Sequence, residues 1–120
     1  MSDIQQANNP ASTVTLLASG ARTTTASVAA VTGFAAARIL VLQLNVTAAS
    51  GTAPTLDVVV QDTVDGTNYS TIATFTQATG TTREVIRLAT PFTDALRVVY
   101  TIGGVTPSFT FGVITWADSN

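Results

Sequence analysis

The stretch Arg38-Ile-Leu-Val-Leu-Gln-Leu-Asn-Val46-Thr47 decides the fold. Leu40, Leu42, Leu44 and Val46 recur at every second position, the period of a β-strand with one face in a core. A helix would space them by three and four. The opposite face starts apolar, with Ile39 and Val41, and turns polar at Gln43 and Asn45. This predicts a central strand, covered on both sides at its Ile39 end.

The same alternation returns in Leu56, Val58 and Val60, in Leu96, Val98, Tyr100 and Ile102, and in Phe109, Phe111 and Val113. Weaker strand candidates cover residues 13–19, 21–31, 69–77 and 82–89. Turn residues separate them: Ser19-Gly20, Thr32-Gly33, Ser50-Gly51 with Pro54, Asp65-Gly66, Thr79-Gly80, Pro91, and Gly103-Gly104 with Pro107. About eight short strands punctuated in this way describe an all-β chain, a single antiparallel β-sandwich of jelly-roll or Greek-key type, with a barrel as the alternative. Ala35-Ala36-Ala37 is long enough for one helical turn and no more. Residues 12–120 form the sandwich domain, and residues 1–11, polar and ending beside Pro10, read as an extended N-terminal arm.

Composition narrows the chemistry. Of 120 residues only 12 are charged, five Arg against seven Asp and Glu, and Lys, His and Cys are absent. Thiolate and imidazole chemistry, Schiff bases and the commonest metal ligands are therefore unavailable. A net charge of -2 argues against nucleic acid as a partner, because phosphate binding requires a clustered basic face. No apolar run is long enough to span a membrane, and the start lacks the basic and apolar segments of a signal peptide, which predicts synthesis in a cytoplasm. The 23 Thr supply polar surface without charge.

Asp62-Thr-Val-Asp65-Gly66-Thr-Asn68 is the densest group of oxygen ligands, but calcium needs six to eight oxygens, and Asp65-Gly66 reads more simply as a hairpin turn. Asp57, Asp62, Asp65, Glu84 and Asp94 offer carboxylates for glycoside hydrolysis, yet no spacing selects a pair. Arg83 and Arg87 share a strand face about 13 Å apart, suited either to two contacts on a flat partner or to a solvated face that discourages aggregation. Arg97 invites the same two readings. Trp116 is a lid on the sandwich end, an interface anchor or a sugar platform.

One resemblance spans residues 42–113. The run Val46-Thr-Ala-Ala-Ser-Gly51-Thr-Ala-Pro54-Thr-Leu-Asp57-Val-Val-Val-Gln-Asp62-Thr-Val-Asp65-Gly66-Thr-Asn-Tyr69 is followed by Ile72-Ala-Thr-Phe75, Pro91-Phe92, Leu96-Arg97-Val98-Val99 and Gly103-Gly104-Val-Thr-Pro107-Ser-Phe109-Thr-Phe111. It resembles the small β-sandwich modules of tailed-bacteriophage virions, in which a strand ending in Gln-Asp precedes an Asp-Gly hairpin and an aromatic. The resemblance implies a structural virion protein with no catalytic residue and no cofactor. Its leading form is a capsid decoration (cement) protein, a homotrimer bound to the major capsid protein or another virion protein. A neck, tail or head-fibre protein is the neighbouring possibility. A carbohydrate-binding or host-adhesion module is the alternative of a different class, and it needs an exposed aromatic among Trp116, Tyr69 and Tyr100. The interface candidates are Ile4 and Pro10 on the arm, with Arg83, Arg87, Arg97 and Trp116 on the sandwich.

Overall fold

The computed structural model describes residues 11–89 and 91–118. They form β1 (Ala11–Arg22), β2 (Ala26–Ser27), β3 (Ile39–Thr63), β4 (Tyr69–Thr74), β5 (Thr82–Leu88) and β6 (Ala95–Asp118), all paired antiparallel. The expected arm lies outside the described residues except for Ala11, which begins β1 opposite Asp118.

Six strands replace the expected eight or so because two pairs of them are continuous. The segments around Leu42 and Val58 are one 25-residue strand, β3, and those around Val98 and Phe111 are one 24-residue strand, β6. These two strands pair with each other along their whole length, from Ile39 opposite Asp118 to Thr63 opposite Ala95. A straight strand of that length would measure about 80 Å. The longest dimension of the molecule is 55 Å, so the ribbon bends.

The bend falls where local signals suggested strand ends. Gly51-Thr-Ala53-Pro54 and Gly104-Val-Thr106-Pro107 face each other, and each places positive φ at its Gly and at the residue before its Pro: 110° and 48° in one, 116° and 46° in the other. Register shifts at Ser50/Thr52 and Thr52/Thr55 take up the distortion while the ladder continues on both sides. Two copies of one irregular tetrapeptide thus turn both strands together. Beyond the bend, core positions on β6 change from even numbers (Leu96, Val98, Tyr100) to odd ones (Phe109, Phe111, Val113).

The bend gives each half of the ribbon its own neighbours. On the first half, strands run β1, β6, β3, β5; on the second, β2, β6, β3, β4. Leu40, Leu42, Leu44 and Val46 from one half join Leu56, Val58, Val60, Leu96 and Val98 from the other in one buried cluster, closed by Phe109, Phe111 and Val113. This is the layered core of a sandwich. Leu16 and Leu17 are both buried although adjacent, which is possible because β1 bulges between Thr15 and Leu17. Ala35-Ala36-Ala37 forms only a turn, with the Ala37 N–H donating to the Phe34 carbonyl.

Thr115 lies among the core residues with its side chain fully buried and its hydroxyl without a hydrogen-bond partner. Valine has nearly the same shape and no polar atom to desolvate. Thr115→Val is expected to stabilise the protein by about 1 kcal/mol, raising the melting temperature by about 4 °C in a calorimetric scan.

Candidate interaction face

The outer faces of the two layers differ in how their polar groups are used. On the β2–β6–β3–β4 side, Arg97 lies opposite Gln61, donates to its side-chain oxygen at 3.0 Å, and stacks its guanidinium 3.6 Å from the centre of the Tyr69 ring. Gln77 donates to Asp57 at 3.1 Å, and the Gln61 amide donates to Thr71 at 3.2 Å. This side satisfies its own charges. Tyr69, covered by Arg97, offers no free platform, and Tyr100 is buried beneath Arg22 and against Phe111.

The β1–β6–β3–β5 side is different. Cross-strand pairing aligns Thr13, Trp116, Val41 and Arg87 in one row, then Thr15, Ile114, Gln43 and Val85, then Gly112, Asn45 and Arg83. Paired residues of a sheet share a face, so Arg83, Arg87 and Trp116 come together although 33 residues separate Arg83 from Trp116 in the sequence. Trp116 is 41% exposed and Ile39, one row further, is 38% exposed. The lid reading of Trp116 is thereby corrected: its neighbours Thr115 and Val113 occupy the inward phase and it takes the outward one. The expectation that the Ile39 end is covered on both sides is also corrected, because Ile39 is among the exposed large hydrophobic residues. The outward apolar residues that suggested a second cover form a stripe in which Ile39 and Trp116 are exposed and Val41, Ile114 and Val85 are half-buried.

Arg83 donates through Nε to the Gln43 side-chain oxygen at 2.7 Å. The Arg87 side chain makes no hydrogen bond, ion pair or ring contact among the described residues. Beside Gln43 and Asn45, a hollow of about 300 Å³ opens over Gly112, bordered by Thr15, Ile114 and the bulged Leu17–Ser19 segment. Gly112 is required there, since a Cβ would come within 2.9 Å of the Ser19 backbone nitrogen and 3.0 Å of the Leu17 carbonyl oxygen. Arg97, the other arginine among the interface candidates, belongs to the opposite side. Ile4 and Pro10 lie outside the described residues.

Arg22 went unrecognised in the sequence. Its guanidinium donates to the carbonyls of Ala18 (2.7 Å), Gly20 (2.9 Å) and Phe111 (2.8 Å), tying the β1 bulge to β6, and it lies 5.1 Å from the centre of the Phe111 ring. The available signal was an isolated cation just after Ser19-Gly20, in a segment that otherwise had no charge.

Carboxylates elsewhere are committed to the fold. Asp94 accepts from the N–H groups of Gly33 and Ala35, Asp62 from that of Thr93, and Glu84 from that of Thr76. Asp65 closes the β3–β4 hairpin, with Gly66 at a φ of 81°. Its oxygens accept the N–H groups of Thr67 and Asn68 at 2.8 Å and the Asn68 side-chain amide at 2.9 Å. The hairpin reading therefore holds. These donors, the Asn68 backbone N–H foremost and Thr67 next, hold the Asp65 carboxyl well below the usual carboxylate range. A carboxyl depressed in the folded state adds stability above its unfolded pKa and loses it as pH falls toward the folded value. Asp65→Asn is thus expected to lower the melting temperature at neutral pH, and the gap from the parent should close as pH drops below the ordinary value of 3.8. Thermal scans from neutral to acid pH check this.

No family model matches this sequence, and no curated protein matches it. Solved structures do resemble it in shape. A chain of Bacillus endospore appendages, described as disulfide-linked pili, matches with a TM-score of 0.52 at 12% identity over 91% of this chain and 86% of that one. VP2 of the infectious bursal disease virus subviral particle matches with a TM-score of 0.56 at 10% identity over 92% of this chain, which spans 32% of the VP2 chain. A CBM36 domain of a multidomain xylanase from the Trinervitermes trinervoides hindgut metagenome matches at 0.50 and 11% identity, over 88% of this chain and 95% of that one. Such low identities carry a likeness of fold, and the fold is an all-β, antiparallel architecture of jelly-roll type.

Proposed function

We propose that this protein is a structural binding module, a decoration protein that docks on an assembled phage capsid through the β1–β6–β3–β5 face. The observation that carries the reading is the difference between the two outer faces: one pairs its arginine and amides internally, while the other leaves Trp116, Ile39 and Arg87 open. An aromatic with aliphatic neighbours and arginines at the rim is the composition of an interface centre. The virion-module resemblance points to a virion partner, and the proposal names it as the major capsid protein or another virion protein, bound by a trimer. The carboxylates engaged in backbone hydrogen bonds favour binding over catalysis.

Capsids assembled without the protein provide the test. The parent protein is expected to pellet with them at micromolar concentration, and Trp116→Ala to bind at least tenfold more weakly with its melting temperature nearly unchanged. Failure of the parent to pellet overturns the reading. Sedimentation velocity of the isolated protein checks the trimer. The carbohydrate-binding alternative draws on the exposed Trp116 ring beside Gln43 and Asn45, and a Trp116-dependent signal on a glycan array would favour it.

A further inference from the structure

We infer that the surface docking on this face is an acidic protein patch, presenting carboxylates to Arg83 and Arg87 around an apolar centre that receives Trp116 and Ile39. The inference rests on the docking role proposed above and adds the chemistry of the partner.

The whole chain carries a net charge of -2, yet the three rows from Trp116 to Gly112 hold two arginines and no carboxylate, and the nearest one, Asp118, lies in the Ile39 row at the far end from Arg83. Of the three other arginines, Arg38 lies just before Ile39 at the start of β3 and is exposed, while Arg22 and Arg97 show what happens when a guanidinium serves the fold. Arg22 is consumed by three carbonyls and Arg97 by Gln61 and Tyr69. Arg83, by contrast, uses only its Nε, and Arg87 uses nothing. Guanidinium groups with unused donors, fixed on one strand about 13 Å apart, can each take a separate carboxylate with paired hydrogen bonds.

Two other occupants fit less well. A second copy joined edge to edge through β5 in antiparallel register around Val85 would set Arg83 opposite Arg87 at two places, and like charges directly opposed destabilise a strand pair. An acidic polysaccharide would satisfy the arginines and could stack on Trp116, but its hydroxyls and hydration shell would not remove Ile39, Val41, Ile114 and Val85 from water. Apolar side chains of a protein would.

Capsid pelleting distinguishes these cases. The parent protein is expected to bind about tenfold more weakly in ~0.5 M than in ~0.05 M NaCl, because screening shortens the reach of exposed charges. The double variant Arg83→Gln/Arg87→Gln should bind about tenfold more weakly than the parent at low salt and respond little to added salt. Its melting temperature should fall by only a few degrees, since the double variant loses a single exposed hydrogen bond, from Arg83 Nε to Gln43, and the Arg87 side chain has no partner in the fold. Equal binding of parent and variant at every salt concentration overturns the acidic partner while leaving the docking role in place. Absence of parent binding at every salt concentration removes the docking role itself. Retention of the isolated protein on alginate beads, lost with Trp116→Ala, overturns the protein partner in favour of an acidic glycan.

Discussion

Gly104→Ala is expected to lower the melting temperature by about 15 °C, the equivalent of about 4 kcal/mol in a domain of this size. Two costs combine. The backbone at Gly104 has a φ of 116°, which a residue with a Cβ adopts only under strain of about 1–3 kcal/mol. The added Cβ would also stand 2.8 Å from the Ala53 carbonyl oxygen and 2.9 Å from the Pro54 Cα. Both are backbone atoms of the opposing bend, so no side chain can swing aside, and the two strands must part where they turn. Overpacking of this kind costs a further 1–3 kcal/mol or so. Gly51→Ala is its mirror, with a Cβ 2.7 Å from the Thr106 carbonyl oxygen. Since either substitution separates the same pair of bends, the double variant should lose less than the sum of the two. Full additivity in thermal or urea unfolding would show that the bends respond independently.

Phe111→Ala is expected to cost about 3–5 kcal/mol, a comparable loss from a different source. The ring is fully buried and meets Tyr100 edge to face with centroids 5.2 Å apart. It also underlies the Arg22 guanidinium, whose other ties hold the β1 bulge. Truncation therefore opens a cavity and removes the platform under a partly buried cation. A double-mutant cycle with Arg22→Ala should give a coupling of about 1 kcal/mol. Zero coupling would mean that Arg22 is held by its carbonyl acceptors alone.

The alternation of Leu40 to Val46 made the strand and its buried face legible, because side-chain direction in a strand is a local property. The outward placement of Arg83 and Arg87 was legible for the same reason. Their meeting with Trp116 was not, since it depends on β3 pairing with β5 on one side and β6 on the other. Ile114, outward beside the buried Val113, was a hint that only this register interprets. Gly51, Pro54, Gly104 and Pro107 were read as strand ends because each breaks regular structure when considered alone. Only their mutual contact, 53 residues apart for the two glycines, turns four breakers into one shared bend.

The long β3–β6 ribbon also constrains the order in which the chain can fold. Its paired residues lie between 32 positions apart, Thr63 with Ala95, and 79 apart, Ile39 with Asp118. During synthesis β3 emerges well before its main partner, and until residues 95–118 leave the ribosome it can pair only with the shorter β4 and β5. Leu40, Leu42 and Leu44 remain without most of their cover during that interval. Chains dominated by such distant contacts fold in milliseconds to seconds, long enough for exposed strands of neighbouring nascent chains to meet. Lower temperature during expression, which weakens hydrophobic association between exposed strands, should therefore raise the soluble yield.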